Sequence, residues 1–546
     1  MAQSRSLFAL GGTLVMALLS AHQPTAIRAS AAPATSAANR RELIAADTAI
    51  VSAAVTQSRP VACEALATVA LPGARITKTE RVEAGAFVAP PLPPGPPVSV
   101  DYKTLPAFCR VAGTASPTAD SAIKFEVWMP GQGWNGKFVA VGNGGFAGMI
   151  FYFAMAEPLR RGYAVAGTDT GHEGGPADAS FGVGHPEKLV DYAWRAVHEM
   201  TVKSKGLVTT HYSVTPRRSY WVGCSSGGRQ GLKEAQRFPD DFDGISAGAP
   251  AYNWIPLMAH GAKVQRLVTH PASGLARPQL ALIKEAAIAA CDARDGVTDR
   301  VVEDPRSCAF DPGVLVCTSD RTSACLTPAQ VETARSIYAG VVNPRTGERI
   351  FPGPHPGGEL QWAAYAPGAF PIAANFWRDL VIRDPAWTPA LLDLDKDLAL
   401  ARSLDTAGLQ TTEANLSAFV GSRRKLLLWH GWTDALIPAQ STIDYYEKVQ
   451  AAIGSARTRD SIRLFMAPGV DHCAGGEGPF AIDALGALDA WVESGRPPEQ
   501  LLATRPLAGG ALRTRPLCPY PQVARYRGQG STDDAASFVC EVPVKR

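Results

Sequence analysis

The run Ser219 to Leu232 (Ser-Tyr-Trp-Val-Gly-Cys-Ser-Ser-Gly-Gly-Arg-Gln-Gly-Leu) constrains this chain more than any other stretch. Ser219 to Val222 reads as a short buried strand, Gly223-Cys224-Ser225-Ser226-Gly227 fits G-x-S-x-G, and Gly227 to Phe238 reads as a helix. In such a strand–turn–helix the central residue sits in a strained backbone conformation. The residues two before and two after it must then be nearly free of side chain. Ser225 has Gly223 and Gly227 at those positions, whereas Ser226 would have Cys224, so that register is rejected. The serine hydroxyl is exposed at a helix N-terminus, where backbone N–H groups favour a developing oxyanion. The competing reading is a glycine-rich turn in a nucleotide-binding sheet, and the partners supplied by the rest of the chain weigh against it.

The elements around this turn alternate. Ile123 to Met129, Lys137 to Val141, Tyr163 to Gly167 and Phe242 to Ala249 are apolar runs of strand length, and Leu189 to Lys205 has helical periodicity. That rhythm predicts a mainly parallel sheet. Lys137 to Val141 runs into Gly142-Asn143-Gly144-Gly145-Phe146-Ala147-Gly148, which lacks the G-K-[ST] of a phosphate loop. A glycine-rich loop after an early strand suits a second oxyanion donor, with the N–H of Gly144 or Gly145. From 252 to 415 the pattern changes to helical patches, prolines and clustered aromatics, read as an inserted lid. Lys425 to Trp429 and Ile462 to Met466 then resume the sheet, and Ala481 to Ser494 reads as a helix.

A serine hydroxyl needs a histidine to take its proton and an acid to orient that histidine. His472 follows the last convincing strand, and Asp434 follows the one before it. Ser225, Asp434 and His472 thus fall in the order an α/β-hydrolase uses, each just past the end of a strand. His430 precedes the acid and reads as a hydrogen-bonded turn residue. Asp471 is adjacent to His472, from which its side chain diverges, and Asp444 falls within a helix. The fold class is therefore α/β, an α/β-hydrolase with a catalytic domain at 32–251 and 416–546 and a lid at 252–415 between its elbow half and its Asp/His half.

Arg5 followed by the apolar run Leu7 to Ala21, with Ala29-Ser30-Ala31 as a cleavage site, reads as a signal peptide at 1–31, so the mature protein is expected to be periplasmic or secreted, with no membrane attachment. A net charge of +3 gives no argument for nucleic acid. The ten cysteines include no C-x-x-C pair, and an even count in an exported chain reads as disulfides. Local neighbours suggest Cys291–Cys308, Cys317–Cys325 and Cys518–Cys540, and Cys63–Cys109 would close the N-terminal region. That leaves Cys224 with Cys473. Each adjoins a triad residue, and if Ser225 meets His472 their neighbours can meet too. Cys224 as a thiol nucleophile is disfavoured, because Val222 occupies the position that needs glycine.

Taken together, Gly223 to Arg229, the run Pro239 to Ala251, His430-Gly431 with Asp434, and Asp471-His472-Cys473 with Gly475-Gly476 resemble the tannase/feruloyl esterase family, which includes mono(2-hydroxyethyl) terephthalate hydrolase. The resemblance covers nearly all of the mature chain. It implies a bridge between Cys224 and Cys473, five disulfides in all, the triad Ser225, Asp434 and His472, and oxyanion donors at Ser226 and the Gly144/Gly145 turn. It also implies a structural calcium in the lid, held by the Asp292, Asp295 and Asp299 carboxylates and the Val297 and Val301 carbonyls, with Gly296 permitting the turn. No organic cofactor is expected. The implied substrates are small esters of aromatic acids: feruloyl, galloyl, chlorogenate or terephthalate types. Phe376, Trp377 and Arg378 are the candidate substrate-contacting segment, and Arg378 and Arg383 are candidates for a substrate carboxylate. A serine peptidase or acyltransferase on the same fold, and a non-catalytic binding protein, are the alternatives.

Overall fold

The computed structural model describes residues 60–91, 100–320 and 322–543. The signal segment at 1–31 and residues 32–59 lie outside them. The central feature is a nine-stranded mixed sheet. Its strands are β1 (Ala74–Val82), β2 (Phe108–Ala115), β3 (Ile123–Pro130), β4 (Lys137–Val141), β5 (Ala164–Thr168), β6 (Arg218–Cys224), β7 (Gly244–Gly248), β8 (Lys425–Gly431) and β9 (Ile462–Ala467). They lie in the order β1-β2-β3-β5-β4-β6-β7-β8-β9. From β5 to β9 every pairing is parallel, while β1, β2, β3 and β5 pair antiparallel.

Burial follows from this topology. All five residues of β4, β5 and β7 are buried, as expected of parallel strands covered on both faces. Successive side chains alternate between two cores. Phe138, Ala140, Trp221, Leu426 and Leu428 pack on one face with Met200 and Leu207 of α2 (Ala196–Tyr212) and Leu232 of α3 (Ser226–Arg237). Val139, Val141, Tyr220, Leu427 and Phe465 pack on the other, with Met155 and Leu159 of α1 (Tyr152–Arg160). The expected helix at Leu189 to Lys205 is divided: a widened turn at Asp191–Arg195 precedes α2. Ala481–Ile482 is a short strand rather than the start of a helix.

Between β7 and β8 no strand joins the large sheet among the described residues. This stretch contains α4 (Trp254–Val268), α5 (Arg277–Cys291) and a small antiparallel pair, Val341–Val342 with Arg349–Phe351. After β8 comes α6 (Gln440–Ile453), and after β9 comes α7 (Ala484–Ser494). Buried residues of α4 and of 372–381 pack with Phe146, Phe181 and Tyr192. The five disulfides join Cys63–Cys109, Cys224–Cys473, Cys291–Cys308, Cys317–Cys325 and Cys518–Cys540. Among the described residues no helix is long and apolar enough to cross a membrane.

Candidate active site

Ser225 lies between β6 and α3 with φ 63° and ψ −123°, a conformation costly for any residue with a Cβ. The neighbouring glycines explain how the chain tolerates it. A Cβ on Gly223 would lie 2.5 Å from the backbone of Gly227, and one on Gly227 would press on Gly142 and Asn143 at 3.1 Å. The turn is held by Ser225 N–H donating to Gly248 O, at 3.0 Å, and by Ala251 N–H donating to Ser225 O, at 3.1 Å.

The C-terminal ends of three parallel strands bring three residues together. His472 Nε2 is 3.0 Å from Ser225 Oγ, and its Nδ1 is 2.7 Å from Asp434 Oδ2. Asp434 is fully buried. Its Oδ1 accepts from the N–H groups of Leu436 and Ile437 at 3.0 and 2.8 Å, and its Oδ2 also faces His430 Nε2 at 3.1 Å. Burial raises the carboxyl's pKa, but the two imidazoles outweigh it and hold it far below the ordinary aspartate value. Burial likewise opposes charge on His472, yet the Asp434 carboxylate holds its pKa above the ordinary histidine value. Cys224 and Cys473, bonded with Cα atoms 6.0 Å apart, link the two chain segments beside the serine and the histidine.

The glycine loop after β4 faces this pair. Gly145 has φ 57°, and its carbonyl accepts from Ser226 Oγ at 2.6 Å and from Tyr192 OH at 2.8 Å. Asn143 anchors the loop, accepting from Gln230 and donating to the carbonyls of Met149 and Thr168. The N–H groups of Gly144, Gly145 and Ser226 engage no acceptor among the described residues, and all three residues line one cavity with Ser225 and His472. That cavity holds about 1120 Å³. Its walls are largely apolar and include Phe151, Phe153, Trp254, Met258, Phe370 and Trp429.

Phe376, Trp377 and Arg378 do not line it. Phe376 and Trp377 are 2% and 0% exposed, packed within the core of the inserted region, and Arg378 is paired with Asp379. Arg383 does not line it either; the wall from this segment is Phe370, Ile372, Ala373 and Asn375. Aromatic clustering in the sequence marked a core here rather than a site. Trp254, Leu257 and Met258 at the start of α4 carried no signal in the sequence beyond following β7.

The acidic loop after α5 is the candidate cation site. Gly296, at φ 93°, turns the chain so that Asp292 accepts from the N–H groups of Asp299 and Arg300, and Asp295 from those of Val297 and Glu303. Burial pushes Asp295 up to about 6 and Glu303 up to about 8, and Glu303 Oε2 is buried without a hydrogen-bond partner. Arg515 pairs with Asp299 and lies 3.7 Å from Glu303 Oε2. Asp292 and Glu303 are buried and Asp295 and Asp299 half-buried, and this cluster of four carboxyls beside one arginine is a donor set that suits a hard divalent cation. Separately, His198, Glu234 and Asp241 place one ligand atom each within 4.8 Å of one another and form a group able to hold a metal ion. Neither oxygen of Glu234 has a hydrogen-bond partner.

Comparison with known proteins gives a consistent result. A profile described as tannase and feruloyl esterase matches residues 109–379 and 391–541. An uncharacterised esterase of Xanthomonas campestris pv. campestris is 39% identical, over 92% of this chain and 94% of that protein. A probable feruloyl esterase B-2 of Aspergillus flavus is 34% identical, over 73% of this chain and 80% of that protein. The crystal structure of feruloyl esterase B from Aspergillus oryzae superposes with a TM-score of 0.81 at 32% identity, covering 88% of this chain and 99% of that one.

Proposed function

The chain belongs to the tannase and feruloyl esterase family and is a carboxylic ester hydrolase, and from that premise we propose that it acts on esters of aromatic acids as an exported serine esterase through Ser225, His472 and Asp434. The observation that carries this reading is the unbroken pair of hydrogen bonds from Ser225 Oγ through the His472 ring to Asp434. Ser225 Oγ attacks the ester carbonyl while His472 Nε2 takes its proton. The oxyanion is received by the N–H of Ser226 and those of Gly144 and Gly145. His472 returns the proton to the departing alcohol, and water then hydrolyses the acyl-enzyme with His472 again as base. Asp434 stays ionised, fixes the tautomer and stabilises the imidazolium. The apolar cavity supplies room for an aromatic ring.

Residues 252–415 serve as the lid that closes this cavity. The loop after α5 would hold Ca²⁺ through the Asp292, Asp295 and Asp299 carboxylates and the Val297 and Val301 carbonyls, where Asp299 also pairs with Arg515. The five disulfides suit an oxidising compartment, periplasmic or extracellular. The test is a panel of methyl ferulate, methyl gallate, chlorogenate and a terephthalate half-ester, run with wild type and Ser225→Ala. Wild type should turn over at least one of these esters and the variant none, with an unchanged circular dichroism spectrum. Turnover by Ser225→Ala would overturn the assignment.

A further inference from the structure

Asp434 serves two imidazoles. Its Oδ2 faces His472 Nδ1 at 2.7 Å and His430 Nε2 at 3.1 Å. His430, next to last in β8, and the turn that follows the strand place the second ring four residues before the carboxylate, with both side chains fully buried. The hydrogen-bond pattern around His430 identifies its tautomer. Nε2 is also 2.8 Å from the carbonyl of Ile437, so that nitrogen faces two acceptors and must carry a proton. Nδ1 is 2.7 Å from Thr442 Oγ1, a hydroxyl able to donate to it.

We propose that His430 is a positioning residue of the relay: its Nε2–H holds Asp434 Oδ2 in line with His472 and draws off part of the carboxylate's charge. The proposal rests on the triad reading above. Without it Asp434 would offer Oδ2 to a single donor, His472, in a dry site. The two backbone N–H groups on Oδ1 fix one end of the carboxylate, and the His430 ring fixes the other. Sharing Oδ2 also sets how strongly the acid pulls on His472. Removing the second donor leaves a more basic carboxylate and so raises the pH at which His472 gives up its proton. The other titratable groups around this cluster are His260 and Tyr365 from the inserted region, His355, and Asp471 beside His472. None of them donates a hydrogen bond to Asp434.

The amide nitrogen of glutamine occupies roughly the place of a histidine Nε2, and that of asparagine the place of Nδ1. His430→Asn therefore deletes the donor and His430→Gln retains it. His430→Asn should lower kcat at least tenfold with KM little changed, the value of one hydrogen bond to a buried charge. It should also move the acid limb of the kcat/KM profile upward by about half a unit or more. His430→Gln should recover most of both. Equal impairment in the two variants with an unmoved acid limb would mean that His430 only fills space, and wild-type kinetics in His430→Asn would likewise overturn the proposal. If neither variant folds, ring ¹⁵N NMR on the wild-type enzyme decides: an Nε2–H on His430 whose shift moves as His472 titrates supports the proposal, and a bare Nε2 or one that does not respond overturns it. Ser225→Ala separates the two levels. Its inactivity with an unaffected His430→Asn would sink this inference alone, whereas its activity would sink the triad.

Discussion

Gly145→Ala tests the oxyanion loop where the structure leaves least room. A Cβ at this position would sit 2.0 Å from Pro176 O and 2.9 Å from Pro176 Cβ. Ordinary contact begins near 3.4 Å, so the loop must retreat by more than about 1 Å, and the positive φ adds roughly 1–2 kcal/mol of strain for a residue with a side chain. Misplacement of about 1 Å in a reacting constellation costs on the order of 100-fold, as does losing one oxyanion donor. Gly145→Ala should therefore lose about 100-fold in kcat on a soluble aryl ester, with KM changed far less. Gly144→Ala is the internal control. Its Cβ would meet only the Phe151 ring, at 3.4 and 3.5 Å, an ordinary contact, and Gly144 has no positive φ. It should keep kcat within about tenfold of wild type. The assay is steady-state kinetics on both variants, with thermal melts to show that each is folded. If Gly145→Ala keeps kcat within tenfold, or Gly144→Ala is as damaging, the loop does not hold the oxyanion.

Because burial is outweighed by the Asp434 carboxylate, the kcat/KM profile should fall on the acid side with an apparent pKa above 6.5, and Asp434→Asn should lower kcat by roughly 10⁴. The same pairing stabilises the fold fully below the unfolded histidine pKa and fades as pH rises through the raised value, so the Tm advantage of wild type over Asp434→Asn should be larger near pH 6 than near pH 9; an advantage that grows with pH would contradict it. Stripping calcium held at a hundredfold its Kd should cost about 2.7 kcal/mol of stability, and Asp295→Asn should remove the dependence on added calcium. Scanning calorimetry with chelator and with restored Ca²⁺ measures both. In metal-free buffer Glu234→Gln should be neutral or stabilising, since burial and Asp241 hold that carboxyl well above the ordinary range; a loss above about 1 kcal/mol in urea denaturation would refute it.

The features legible in the sequence are those whose cause is local. The elbow is steric, and Gly223 and Gly227 are required by contacts within a few residues. Asp434 and His472 could be found because each follows an apolar strand. The strand β1, with the sequence Ala-Arg-Ile-Thr-Lys-Thr-Glu-Arg-Val, offered no such run because it lies at the sheet's edge and exposes much of its length. The cavity wall was illegible for a different reason. Phe151, Trp254, Phe370 and Leu485 come from four distant segments, and only packing brings them to one surface. Glu303 and Arg515 meet in the same way, across an interval that no spacing rule connects.

The bond between Cys224 and Cys473, 249 positions apart, makes a covalent ring that contains everything between Ser225 and His472. A protease that cuts once within that ring linearises it without releasing either half. On the exported reading proposed above the enzyme meets other secreted hydrolases, and the inserted region is the natural place for such a cut. A nicked molecule would still carry Ser225 and His472 on one covalently joined body, separating into two fragments only under reduction. The bond thus makes the pairing of serine and histidine independent of the integrity of the backbone that runs between them.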